Sequence, residues 1–216
     1  MSNVKITHLL GCDPSFTNFG IALMELKTRK FLHLGTYEFE KAKKMILQFS
    51  EVYKFAAVLE NPNLETNIFG MWPMLQMDIQ KYKRGELALQ SKKVRGGYTA
   101  SVQSTFSRAM KQAQSVGKNQ AAAQEAIKFF DSNGIFNLSI KPSDRQKALS
   151  KRRGQTTLKD PRFIKMPTKT NAKQFQDLTG HKGRSNEHSR DAATLIYRMT
   201  LPQLNMLFKL QNSKNK

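Results

Sequence analysis

The chain has 216 residues and a single cysteine, Cys12. Neither an internal disulfide nor a cysteine-rich zinc site can be built from it, and a reducing compartment is expected. No apolar run approaches the roughly 20 residues that cross a bilayer, and Met1-Ser2-Asn3-Val4-Lys5 lacks the apolar stretch of a secretory leader. A cytoplasmic protein without a membrane partner is therefore the expectation. Acidic residues are also scarce: 16 Asp and Glu stand against 36 Lys and Arg, for a net charge of +20. That excess goes beyond what solubility needs and points to a polyanionic partner. It is unevenly spread, with 8 basic and 6 acidic residues over 1–60 and 28 and 10 over 61–216. The hydrophobic fraction is 39%, including 14 Phe and 10 Met, enough to bury a core. The length predicts one domain, 1–216, with an insertion at about 61–114 and a basic loop at about 142–165.

Residues 9–39 read as a meander of three strands. Leu9 and Leu10 lead into a turn carrying Asp13, Pro14, Asn18 and Gly20, a strand follows through Ile21 to Leu26, and residues 28–39 form the third. From Lys41 to Phe55 apolar residues recur at helical spacing. Phe55–Glu60 is then a short apolar strand stopped by Asn61-Pro62. A helix is predicted from Gly117 to Phe130, closed by Gly134, with a strand over Ile135–Lys141. A short helix over Thr170–Leu178 and a last helix capped by Ser185 or Asn186 complete the order. The apolar face of that last helix is Ala192, Leu195, Ile196 and Met199, and it ends at Leu201-Pro202. Leu204 to Lys216 reads as a short helix with a basic tail.

The acids worth attention stand at strand ends and in the first turn of a helix, where α/β sheets present functional groups. Asp13 ends the first strand, Glu60 ends the fourth, and His188 and Asp191 lie three apart, hence on one face of the last helix. Carboxylates gathered within a positive surface repel phosphate unless divalent cations invert the local charge. Two such ions about 3.5–4 Å apart can hold a scissile phosphate, activate water and neutralise a leaving 3′ oxygen. Each residue taken singly also has a plainer reading. Asp13 makes a turn, Glu60 closes a strand, His188 is solvated, and Glu187 suits the positive end of its helix.

The order of these segments resembles the RuvC-like Holliday junction resolvases of the RNase H-like superfamily. Leu10-Gly-Cys-Asp-Pro-Ser-Phe-Thr-Asn-Phe-Gly-Ile21 resembles that family's first-strand motif. Val58-Leu-Glu-Asn61 is similar to its second acid motif, and Glu187-His-Ser-Arg-Asp-Ala-Ala193 to its last helix. Val116-Gly-Lys-Asn-Gln-Ala-Ala-Ala123 and Ile140-Lys-Pro-Ser-Asp-Arg-Gln146 resemble its middle helix and fifth strand. The likeness spans about 7–60 and 115–200. It implies an α/β fold of the RNase H-like type, in which a five-stranded mixed sheet, a three-stranded antiparallel meander plus parallel strands, is flanked by helices. It also implies a crossover junction endodeoxyribonuclease with Asp13, Glu60, His188 and Asp191 as catalytic metal ligands and Glu187 as an extra one. Two Mg²⁺ or Mn²⁺ ions per site, a water nucleophile, products with a 5′ phosphate and 3′ hydroxyl, and a homodimer acting on a four-way junction come with it. So does a bacterial or phage-infected cytoplasm. The two insertions exceed a compact resolvase and fit broader branched-DNA specificity.

Between Lys81 and Lys118 there are nine basic residues and one acid, with Tyr82, Tyr98 and Phe106 interleaved. Lys92, Lys93, Arg95 and Lys118, with Lys151, Arg152 and Arg153 of the later loop, are read as DNA-binding, and Phe69 or Trp72 as a wedge at the branch point. Two other functions remain open: a non-enzymatic basic nucleic-acid-binding protein, and an RNase H-like nuclease acting on RNA–DNA hybrid. An actin-like ATPase is disfavoured, because no second Asp-x-Gly-Gly loop follows the first.

Overall fold

The computed structural model describes residues 6–64, 71–142, 146–147, 167–168, 170–197, 199, 202, 204 and 205. Most of the predicted basic loop at 142–165, and most of the segment read as a terminal helix and tail, lie outside them. So do Phe69, Lys151, Arg152 and Arg153. The elements in order are β1 His8–Asp13, β2 Phe19–Glu25, β3 Phe31–Tyr37, α1 Phe39–Val52, β4 Phe55–Glu60, α2 Trp72–Lys83, β5 Lys93–Val94, β6 Gly97–Tyr98, α3 Val102–Ser132, β7 Asn137–Ile140, β8 Gln146–Lys147, β9 Pro167–Thr168, α4 Ala172–Thr179 and α5 Glu187–Ile196. The chain divides into two compact units, 1–64 with 120–216, and 65–119. No helix among the described residues is long and apolar enough to cross a membrane.

The first unit is a five-stranded sheet in the order β3-β2-β1-β4-β7. β1, β2 and β3 pair antiparallel, while β1 with β4 and β4 with β7 pair parallel. This is the expected meander joined to parallel strands, in the strand order of the RNase H-like fold. Because side chains alternate across a strand, the sheet feeds two cores, one on each face. Leu10, Cys12, Ile21, Leu23, Ala57 and Leu59 pack with Phe39, Ala42 and Ile46 of α1 and with Ala123, Ala126 and Phe130 of α3. Leu9, Ala22, Met24, Ala56, Val58 and Leu138 pack with Phe175 of α4 and Ala192, Ala193, Leu195 and Ile196 of α5. The sheet is thus covered by α1 and α3 on one face and by α4 and α5 on the other.

Two glycines set how closely α5 approaches. Gly11 and Gly20 lie on the α5 face, since Gly11 pairs with Ala22, and Gly20 with Asp13. A Cβ on Gly11 would stand 2.0 Å from the carbonyl oxygen of Ala192, and one on Gly20 would stand 2.2 Å from that of His188. The helix backbone therefore lies directly against the strands. Four helix residues advance about 6 Å and two strand residues about 6.6 Å, so the two contacts keep step. α5 runs antiparallel to β1, which brings its first turn to the C-terminal end of β1.

Two sequence expectations are corrected in extent. The helix expected from Gly117 begins at Val102 instead. Ser101 and Ser104 cap it reciprocally, each backbone N–H donating to the other's hydroxyl at 3.1 Å. The added residues are largely exposed, so they lack the apolar period that marks a packed helix. The last helix ends at Ile196 and not at Leu201-Pro202.

The two kinds of helical and strand glycine predict opposite effects. Gly11→Ala forces α5 off the sheet and is expected to lower stability by about 1–3 kcal/mol in urea unfolding. Gly117→Ala, in α3 with nothing within 4 Å of an added Cβ, is expected to raise it by roughly 0.5–1 kcal/mol. Equal stability of Gly11→Ala and the parent would refute the close contact.

Candidate functional site

The C-terminal end of β1 carries Asp13 and that of β4 carries Glu60. The parallel register pairs Cys12 with Leu59, so Asp13 and Glu60, one residue further on, fall side by side. They share the sheet face of Leu9, Gly11, Ala56 and Val58, the face on which α5 packs. Both are half-buried. Glu60 is next to Ile140 of β7, and just beyond it the chain turns into a short 3₁₀ helix, Pro62–Leu64.

α5 begins here because Asn186 caps it. The Asn186 side chain accepts from the Ser189 N–H at 2.9 Å, and the Asn186 N–H donates to the Ser189 hydroxyl at 3.1 Å. The Thr36 hydroxyl of β3 donates to the Asn186 side-chain oxygen at 2.6 Å. Arg190 reaches back to the carbonyls of Thr170 and Ser185 at 2.7 and 2.8 Å. The first turn of the helix is therefore held from both sides, and it carries Glu187, His188 and, one turn along, Asp191. Glu187 at this end complements the helix dipole.

His188 Nδ1 lies 2.9 Å from Asp13 Oδ2, joining positions 175 residues apart in sequence. A carboxylate oxygen accepts, so Nδ1 carries the proton and Nε2 is the ring atom left for a lone pair or a second proton. This hydrogen bond raises the His188 pKa above the ordinary histidine value. Partial burial opposes the shift, and the negative charges of Asp13, Glu187 and Asp191 reinforce it. Asp191 sits deeper, at 5% exposure. Cys12, next to Asp13, is wholly buried, and desolvation followed by the Asp13 charge pushes its thiol far above the reactive range. It is a core residue and not a nucleophile.

A polar network supports the Glu60 end, and the sequence reading did not single it out. Asn61 is buried, and its side chain donates to the Ser139 hydroxyl at 3.3 Å. Asn61 also accepts from the N–H and the side-chain amide of Asn63 at 3.0 and 2.9 Å. Asn63 in turn donates to the Gln120 carbonyl at 3.0 Å. The backbone after Glu60 is thereby tied to β7 and to α3. The usable signal was Asn-Pro-Asn after a strand, since Asn turns the chain through its own side chain.

The residues fit a divalent cation in kind. Asp13, Glu60, Asp191 and Glu187 offer oxygen donors suited to Mg²⁺ and Mn²⁺, and an imidazole suits Mn²⁺ better than Mg²⁺. In arrangement they form a bonded pair, Asp13 with His188, flanked by further acids. Among the described residues no three His, Cys, Asp or Glu stand together as a ready metal-holding group.

The described residues expected to bind DNA belong to the other unit. Trp72, at the start of α2, is 56% exposed. Lys92, Lys93 and Arg95 are exposed in and around the β5–β6 hairpin, and Lys118 is exposed on α3. All five belong to the unit 65–119.

The raised His188 pKa sets a pH dependence. A group whose pKa is higher folded than unfolded stabilises the fold below the unfolded value, and loses that contribution as pH rises through the folded value. In chelator-treated protein, His188→Ala is therefore expected to destabilise more at pH 5 than at pH 8.5 in chemical unfolding. Asp13→Asn is expected to lower the His188 pKa in a ring-resonance NMR titration, and an unchanged titration would refute the bond.

No family model and no curated protein matches the chain. A solved structure described as T. thermophilus RuvC in complex with Holliday junction substrate is similar to it at 13% identity and a TM-score of 0.45, over 88% of this chain and 91% of that one. The fold rests on the strand order and the two helical layers themselves.

Proposed function

We propose that the chain is a divalent-metal-dependent endonuclease that cuts branched DNA, four-way junctions above all, by paired nicks as a homodimer. The observation that carries this reading is the Asp13–His188 hydrogen bond beside Glu60 and Asp191. It draws together positions from three separated motifs that resemble those of junction resolvases, in a chain of net charge +20. A basic protein that only gripped nucleic acid would gain nothing from acids placed side by side, since each repels phosphate.

Asp13, Glu60, His188 and Asp191, with Glu187 next to them, would hold Mg²⁺ or Mn²⁺. When bound, such ions supply positive charge at the scissile phosphate and a water nucleophilic near neutral pH. Asp13 orients the His188 ring by accepting its Nδ1 proton, so the imidazole presents Nε2 in a fixed tautomer. The capped first turn of α5, anchored by Thr36 and Arg190, keeps that ring over the end of β1. Asn61 and Asn63 restrain the backbone that carries Glu60. Lys92, Lys93, Arg95 and Lys118, together with Lys151, Arg152 and Arg153, would bind the phosphates of the arms. Trp72 or Phe69 would wedge the branch point.

The test is a labelled four-way junction, a fork, a flap and an RNA–DNA hybrid, presented side by side with Mg²⁺ and with Mn²⁺. Symmetric nicks in the junction that leave a 5′ phosphate and a 3′ hydroxyl are expected. Asp13→Asn is expected to bind the junction as the parent does and to cut at least 100-fold more slowly, a loss of about 2.7 kcal/mol or more in transition-state stabilisation. Cutting at the parental rate by Asp13→Asn overturns the assignment. Tight binding without cutting of any substrate favours the non-enzymatic reading, and hybrid cleavage alone favours the RNase H-like one.

A further inference from the structure

Within the unit 65–119, β5 and β6 form a ribbon of two residues per strand, with Lys93 opposite Tyr98 and Val94 opposite Gly97. Arg95 and Gly96 form the loop, and Gly96 has φ +91°. A positive φ at the second loop position alone follows the type II pattern. Turns of that hand splay the strands they join, which accounts for so short a ribbon. Every side chain from 92 to 99 is exposed, and so small a ribbon has no stability of its own.

Its root is nonetheless fixed. The Lys92 N–H donates to the Thr99 hydroxyl at 2.8 Å, and the Thr99 N–H donates to the Lys92 carbonyl at 2.9 Å. Below them the hydroxyls of Ser91 and buried Ser101 meet at 2.7 Å. Ser101 is the residue that caps α3. Backbone N–H groups of Val102 and Gln103 donate to the carbonyls of Ala88 and Leu89, both at 3.1 Å. The ribbon is thus mounted on the start of a long helix and displays its tip to solvent.

The tip has a definite chemistry. No Asp or Glu occurs from 87 to 124, whereas Lys92, Lys93 and Arg95 cluster at the ribbon. Directly opposed residues of an antiparallel pair stand on the same face with Cβ atoms about 5 Å apart. One face therefore carries both Lys93 and Tyr98, the latter 72% exposed. The opposite face carries Val94 and a glycine, so the ribbon is thin. An anion and a flat π surface a few ångströms from it would satisfy both side chains, and a nucleotide has that pairing of phosphate and base. In a continuous duplex every base face is covered by its neighbours, and only edges reach the grooves. A protruding tyrosine stacks only where the base stack is interrupted.

We propose that the hairpin 92–99 is a finger for unpaired DNA, in which Tyr98 stacks on an exposed base while Lys93 and Arg95 hold the adjoining phosphates. The proposal rests on the reading of DNA as the partner, and it assigns the recognition of unpaired nucleotides to a place outside the Asp13–His188 pair.

The experiment measures binding of the full chain to fluorescein-labelled DNA by anisotropy, in EDTA so that no cutting intervenes. The probes are a 20-nucleotide thymidine strand, a blunt duplex of equal length, and that duplex with a central single-stranded gap. Tyr98→Ala is expected to weaken binding to the strand and the gapped duplex about tenfold, the scale of one stacked base. It should leave the blunt duplex within twofold. Tyr98→Phe should bind as the parent does. Lys93→Ala should weaken strand binding and reduce the slope of log affinity against log salt by about 0.7. Tyr98→Ala binding all three probes as the parent does overturns the proposal, as does an equal loss on strand and blunt duplex. A chain that cuts nothing in Mg²⁺ yet shows the Tyr98 dependence sinks the nuclease reading and leaves the finger standing. Junction cleavage abolished by Asp13→Asn, with no Tyr98 effect on binding, does the reverse.

Discussion

The contact on which the candidate site depends is made by main chain against main chain. With no Cβ at Gly11 or Gly20, the carbonyls of Ala192 and His188 reach the strands themselves. Any side chain at either position would lift α5 and carry its first turn away from the end of β1. His188 would then lose Asp13, because an imidazole bonded at 2.9 Å has little slack for a shift of an ångström or more. The usual cost of glycine in a strand, lost entropy and lost packing, is offset here by the burial of nearly the whole inner face of α5, from Ala192 to Ile196.

That close approach also concentrates negative charge. Asp13, Glu187 and Asp191 all act on His188 and raise its pKa, so three acids bear on one imidazole. Asp191 is buried as well, where water screens it least. A fold selected for stability alone would have little reason to group them, and a neighbouring positive charge is what relieves them. Protonated His188 is one such charge within the chain itself, and it weakens as pH rises. A cation whose charge does not depend on pH in this range would take over that role more fully, which connects the electrostatics of the pair to the chemistry proposed for it.

The sequence made the first unit legible and left the second largely unread, for a physical reason. β4 was bounded correctly at both ends because a buried parallel strand is a continuous apolar run, here stopped by Asn61-Pro62. The meander and α5 were legible through turn residues and an apolar helical face. That Asp13 and His188 share a site was implied only by the resemblance of their motifs, and the agent that brings them together, α5 resting on two glycines, leaves no periodic mark. Asn61, Asn63, Thr36 and Arg190 were missed because they act through polar bonds across long separations, to which hydrophobic patterning is blind. The early half of α3 was missed for the complementary reason: an exposed helix has no buried face to read.

The same blindness is informative about the second unit. Leu75 is its only buried apolar residue among those described, while Trp72, Met74, Met77, Tyr82, Leu89, Val94, Tyr98, Phe106 and Met110 are exposed. Its order comes from hydroxyl and backbone bonds, as at Ser91, Ser101 and Thr99, and from Thr105, which donates to Asp78 at 2.7 Å. Such bonds each contribute only about 1 kcal/mol net, so this segment adds little to the stability of the chain. A stretch of that length which buries so little and displays aromatic and basic side chains together is built around its surface. The first unit uses its glycines to bring groups inward to one point, and the second uses Gly96 and Gly97 to carry Tyr98 and its neighbouring cations outward.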